Sequence, residues 1–218
     1  MTKIRDYANE SLLMAEGAAP ATPAAGTVRL YAKADGMLYA KDDAGTETPL
    51  GGGSGGSGAP WFMQFKPYDN EPPASNYATL DLRNNRPTLD YDDTTQEAAV
   101  FSGVLPAGYA GAGVTVTVFC SLTSATTGTV GWDVAFERTQ ASTDDIDSDS
   151  FATAKTVTAV TVPGTSGQVL SLSVNVANGS EMDSLAAGEL FRLRVRRDVA
   201  SDTATGDAEL LAVSIKEQ

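Results

Sequence analysis

The sequence has no histidine and one cysteine among its 218 residues, so hydrolysis would have to rest on its 28 acidic side chains. Losing histidine removes the commonest general base and imidazole ligand, and with it His-dependent triads and His-ligated zinc. A single cysteine permits no internal disulfide and no cysteine-based zinc cluster. Cys120 alternates in register with Val116 and Val118, which predicts a buried small hydrophobe rather than a nucleophile. Paired carboxylates can cleave glycosides, yet no spacing here selects one pair. Asp144, Asp145, Asp147 and Asp149 lie in STDDIDSDSF, and D-x-D-x-D from Asp145 imitates the start of a calcium loop. The sixth and twelfth positions are Ser150 and Thr156 where an EF-hand needs Gly and Glu, so the run reads as a solvated acidic loop. The expectation is a protein that is not an enzyme, with no catalytic residue, cofactor or metal.

Two other groups of side chains suit recognition. Arg192, Arg194 and Arg196 alternate with Phe191, Leu193 and Val195, with Arg197 adjoining. On a strand this puts three guanidiniums on one face. The first reading is cross-strand pairing with carboxylates, such as Asp207 or Glu209 on the following run, or with a neighbouring subunit's acids. Binding of an anionic sugar or phosphate is the alternative. Trp61, Tyr68, Tyr77, Tyr91 and Tyr109 offer aromatic faces for sugar stacking, against a simpler role in sandwich packing or intersubunit contacts.

Charge narrows the partners. The formal net charge is −13, with 5 basic and 7 acidic residues in positions 1–60 and 10 against 21 in the remainder. A nucleic-acid backbone or anionic membrane surface would repel the molecule as a whole, so neither is expected as a partner. The first residues, MTKIRDYANE, lack the apolar core of a secretory signal, and no stretch approaches the roughly 20 apolar residues that span a bilayer.

The elements that must position these side chains are mostly strands. Hydrophobic residues make up 42% of the chain and charged ones 20%, with 21 glycines and frequent Thr and Ser, a balance of turns and strands rather than long helices. Ile4, Ala8, Leu12 and Ala15 do fall on one helical face, which predicts a helix over residues 2–16 ended by Gly17. Two β-like runs, RLYAK and MLYAK, flank Ala34-Asp35-Gly36 and predict a hairpin over residues 27–50. Neither element is stable alone, since about 15 residues of helix and a two-stranded hairpin are both marginal in water. Residues 51–58, GGGSGGSG, read as a flexible linker with a reach of roughly 15 Å. From Trp61 onward the pattern has period two: Val114 to Leu122, Trp132 to Phe136, Leu170 to Val176 and Phe191 to Val195 alternate. Further runs near 61–66, 77–83, 97–104, 157–162 and 209–216 bring the expectation to roughly eight to ten strands. The fold class is therefore mainly β: an N-terminal helix plus β-hairpin, then an antiparallel, jelly-roll-like β-sandwich over residues 59–218.

The segment Gly26 to Leu50 resembles a short module near the N-termini of tailed-bacteriophage virion proteins. Its parts are a Leu-Tyr-Ala-Lys strand (Leu30 to Lys33), an Asp-Gly turn (Asp35-Gly36), a Leu-Tyr strand (Leu38-Tyr39) and a Gly-Thr-Glu-Thr tail (Gly45 to Thr48). Residues 189–215, ELFRLRVRRDVASDTATGDAELLAVSI, resemble the closing strands of β domains in phage head or tail appendages. The resemblance implies a homotrimeric or otherwise symmetric fibre, spike or decoration protein at the virion surface, assembled in the host cytoplasm. Residues 1–50 would attach it to the capsid or other virion proteins through Ile4, Tyr7, Leu12, Leu30, Tyr31, Leu38 and Tyr39. Arg192, Arg194 and Arg196 would be intersubunit or anion contacts. A head-surface fibre or decoration protein comes first, because a single compact domain on a short tether is no long shaft. The alternative is a tail or neck fibre whose sandwich binds a host glycan.

Overall fold

A computed structural model of the protein describes residues 4–6, 11–50, 61–148 and 150–218. The chain divides into two compact units, Met1–Gly58 and Ala59–Gln218. The expected Gly/Ser linker over 51–58, like Tyr7 and Asp149, lies outside the described residues.

The first unit contains no helix among its described residues. Where one was expected over 2–16, β1 (Ile4–Asp6) pairs antiparallel with β2 (Ser11–Leu13), Ile4 opposite Leu13, followed by β3 (Glu16–Gly17). A helix of that length depends on packing of its apolar face, whereas paired strands exchange backbone hydrogen bonds directly. The hairpin is part of a larger sheet: β3 runs parallel to β4 (Arg29–Lys33), which pairs with β5 (Leu38–Lys41), and β5 pairs with β6 (Glu47–Pro49). Asp35 closes the turn between β4 and β5, its carboxylate accepting from the Met37 N–H and the Tyr39 hydroxyl, and Gly36 takes φ +80°.

Register gives this sheet two unlike faces. On one, Tyr31 stacks on Tyr39 at 5.8 Å between ring centroids, and Glu47 accepts from Lys33 at 2.9 Å and Lys41 at 3.3 Å. The Lys33 hydrogen bond is the main cause holding the Glu47 carboxyl down to about 2. Residues 18–25 cross this face: Lys41 donates to the Pro20 carbonyl, Arg29 to that of Ala21, and Pro23 is buried. The other face carries Leu30, Ala32, Leu38, Ala40 and Thr48, with Leu30 52% exposed and Val28 and Leu50 beside it also exposed.

Among its described residues the second unit is a sandwich of ten strands in two antiparallel sheets. The four-stranded sheet runs β10 (Ala98–Val104), β15 (Leu190–Arg197), β12 (Thr129–Thr139), β13 (Lys155–Thr161). The six-stranded sheet runs β14 (Leu170–Val176), β11 (Val114–Leu122), β16 (Ala208–Glu217), β9 (Arg86–Tyr91), β8 (Thr79–Arg83), with β7 (Phe62–Phe65) also on β16. The period-two residues meet between the sheets: Val114, Val116, Val118, Cys120 and Leu210 from one, Trp132, Phe136, Phe191, Leu193 and Val195 from the other. Burial there pushes the Cys120 thiol up to about 12, as its alternation predicts for an inert small hydrophobe. Strand β9 was not expected, because Pro87 interrupts its alternation. Its signal is the turn before it, Asn84-Asn85, both at positive φ (50° and 63°), the backbone a two-residue hairpin demands.

Candidate functional site

The arginine stripe resolves into internal structure. Arg196 grips Asp133 with two bonds of 2.9 and 3.0 Å, and Arg192 donates to Glu137 at 2.8 Å. Arg194 lies over the Phe151 ring at 4.6 Å and Arg192 at 5.1 Å. Both carboxylates stand directly opposite their arginines on β12 and are buried. The partners differ from the expected Asp207 and Glu209 because β15 is hydrogen-bonded to β10 and β12, of which β12 carries the facing carboxylates, while β16 belongs to the opposite sheet. Arg197, one position on, has the inward parity and is fully buried. Its guanidinium meets Asp202 at 2.7 Å and the carbonyls of Tyr91, Ala204 and Gly206, fastening residues 198–207 to β9.

The aromatic candidates divide in the same way. Tyr91 is buried edge-on against Trp132 at 4.8 Å, and Trp61 packs against Tyr109 at 6.1 Å beside the core. Tyr68 and Tyr77 remain exposed, Tyr68 at 67%. Of the expected attachment residues, Tyr31 is buried and belongs to the module's own packing, Leu30 is exposed, and Leu38 and Tyr39 are half-buried. Ile4 and Leu12 sit on β1 and β2. In the acidic loop, Asp144 accepts from the Gln140 N–H and Asp145 from that of Asp147, so these carboxylates serve the loop's own turns. No group of three or more metal-ligating side chains gathers among the described residues.

Where the structure does open is the outer face of the six-stranded sheet. One edge of β16 pairs with β9 as far as Leu210 and with β7 only from Val213, leaving Leu211 and Ala212 between the two ladders. Pro87, with no N–H to donate, lies where β9 leaves β16. A groove of about 450 Å³ occupies this gap. Leu211, Ala212 and Phe119 line it, with Gln64 on β7, Arg86-Pro87 on β9 and the turn Lys66-Pro67-Tyr68. That turn is a single 3-10 turn, Pro67–Asp69, closed by the Asp69 carboxylate accepting from the Lys66 N–H at 2.7 Å. A second depression of about 340 Å³ shares Arg86, Val169 and Leu211 and adds Arg83, Asn84 and Ser121. A third, of about 270 Å³, lies between Tyr68 and Tyr77.

The charges along the groove are of one sign. Lys66, Arg83 and Arg86 line the first two depressions and no carboxylate does. Arg83 is held from behind by the buried Glu209, which also accepts from Ser121, and donates to the Leu122 carbonyl at 2.8 Å. Lys66 and Arg86 form no ion pair among the described residues. Further along the β16 to β9 ladder, Asp90 stands opposite Glu209, and burial, with Glu209 and other acids adding, pushes its carboxyl up to about 6. Sequence reading missed Phe119. Its signal was present, since it is the one large apolar side chain in the otherwise Thr/Ser face of β11.

No family model matches the chain, and no curated protein matches its sequence. Among the solved structures that match are three with low identity and TM-scores under 0.5. A xylan-binding module, CBM15, is 9% identical over 73% of this chain and 97% of that one, with a TM-score of 0.43. The CBM22-2 xylan-binding domain from Paenibacillus barcinonensis Xyn10C is 11% identical over 72% and 99%, with a TM-score of 0.40. The CBM35 from Cellvibrio japonicus Abf62 is 8% identical over 71% and 92%, with a TM-score of 0.39.

Proposed function

We propose that this chain is a non-catalytic structural protein of a tailed-phage particle, attached through residues 1–50 and displaying its sandwich at the virion surface. The observation that carries this reading is the division into two compact units where a glycine-rich run ends, the smaller of which leaves one apolar sheet face exposed around Val28, Leu30 and Leu50. Such a face on a module of this size is a docking surface in the making. A head-surface fibre or decoration protein is the first form, with the jelly-roll-like sandwich as its displayed body.

A second reading is favoured by the groove. An open, partly apolar cleft with exposed aromatic faces and a few polar groups is the geometry of a ligand site, and it makes the sandwich of a tail or neck appendage a glycan-recognition domain. The attachment assignment is tested by fusing residues 1–50 to an unrelated fluorescent domain and mixing it with particles lacking the full-length protein. Decoration of the particles is expected, with Leu30→Asp abolishing it. Binding of residues 59–218 to such particles as tightly as the full chain would instead make the sandwich the docking surface.

A further inference from the structure

The sandwich is strongly acidic, 21 acidic against 10 basic residues from position 61 onward, yet three of those ten cations line one continuous groove and no carboxylate does. Most of the other cations are spent internally: Arg192, Arg196, Arg197 and Lys155 are each ion-paired and Arg194 stacks on Phe151. Lys66 and Arg86 are exposed and form no ion pair among the described residues. Their positive charge is therefore offered outward, beside the apolar surfaces of Tyr68 and Phe119.

We propose that this groove binds an acidic oligosaccharide, a chain of pyranose rings bearing carboxylate or sulfate groups. The inference deepens the glycan-recognition reading and rests on it. Arg86 lines both larger depressions, so one guanidinium stands at their junction, where it can take an anionic substituent bidentately. Lys66 supplies a second charge in the larger depression, while Arg83, its charge met by Glu209 and its Nη1 also bonded to the Leu122 carbonyl, lines the smaller as a fixed polar wall rather than a free charge. Tyr68 and Phe119 supply apolar faces for the sugar rings between the anionic groups. The combined opening suits several linked rings rather than one small ion, given cavities of about 450 and 340 Å³ side by side. A nucleic acid longer than the groove would continue over a domain of 21 acidic against 10 basic residues, which disfavours it relative to a short oligosaccharide.

The test is calorimetric titration of the full-length protein with four probes: oligogalacturonate, a sulfated oligosaccharide, a neutral cello-oligosaccharide and single-stranded DNA. Binding of one or both acidic sugars is expected, weakened by raising salt from about 20 to 500 mM as charge screening requires. Arg86→Glu and Lys66→Glu, both at exposed positions and checked for an unchanged melting curve, should each weaken it about tenfold or more, the loss of a charge-assisted contact. Phe119→Ala should weaken it without changing the salt dependence. Equal binding of neutral and acidic sugars, insensitive to Arg86→Glu, overturns the anionic preference while leaving glycan recognition standing. Failure of every sugar to bind overturns both. Equal binding of DNA reduces the groove to a general polyanion surface and overturns the proposal.

Discussion

At the scale of single residues, the buried ionic groups decide most. Arg197 has no exposed surface, and all of its described partners, Asp202 and three carbonyls, lie on chain that would otherwise be loop or strand end. Arg197→Met removes the counter-charge of Asp202, which keeps only the Ala204 N–H as a described donor, and takes the guanidinium donors from those carbonyls. The expected cost is about 3 to 5 kcal/mol, read as a lowered urea midpoint with unchanged slope, and a cost below about 1 kcal/mol would show that the network contributes little. Asp90 behaves oppositely. Its ordinary value of 3.8 is raised to about 6, so between roughly pH 4 and 6 the folded state holds a proton that the unfolded chain has released. Stability from this group is therefore greatest at low pH and is lost as pH rises through 6. Asp90→Asn should raise the melting temperature at pH 8 and leave it nearly unchanged at pH 4. An equal shift at both values would assign the effect to packing.

At the scale of elements, the four-stranded sheet is bound across its outer face as well as its core. Its middle strands β15 and β12 carry Arg196 against Asp133 and Arg192 against Glu137 in direct register, with the Phe151 segment laid over them. Arg194 lies between the two pairs. Arg194→Glu puts a carboxylate midway between Asp133 and Glu137, where like charges on neighbouring strands destabilise. A lower melting temperature or loss of assembly is expected, by differential scanning fluorimetry and light scattering. Retention of both, with loss of an anionic ligand, would make the stripe a site after all. The six-stranded sheet differs in leaving its outer face open, because β7 and β9 share one edge of β16 without meeting. The groove is a consequence of that pairing, with the turn Lys66-Pro67-Tyr68 forming one of its walls.

At the scale of the whole molecule, the phage-appendage reading carries the expectation of a homotrimer, and self-association is one way to cover the apolar face of the small module around Leu30. The expected solution mass is three times the 22.6 kDa of one chain, measured by light scattering on the full-length protein. A mass equal to one chain at high concentration would leave docking on the particle as the only cover for that face.

What the sequence determined by itself was whatever depends on local period and turn chemistry. Alternation placed most of the sandwich strands and the inward set from Val114 to Leu122, and Asp35-Gly36 marked its turn, because side-chain parity and positive φ are properties of a few neighbouring residues. It could not determine which strands become neighbours. The partners of Arg192 and Arg196 are Glu137 and Asp133 respectively, more than fifty positions away, and only sheet order decides that. Residues 2–16 satisfied a helical period, yet within them Ile4–Asp6 and Ser11–Leu13 form paired strands, since an element too short to be stable alone takes its structure from what it pairs with. The groove is the extreme case: Lys66, Arg86, Phe119 and Leu211 come from four separate segments. They share a surface only because β16 divides one edge between two partners.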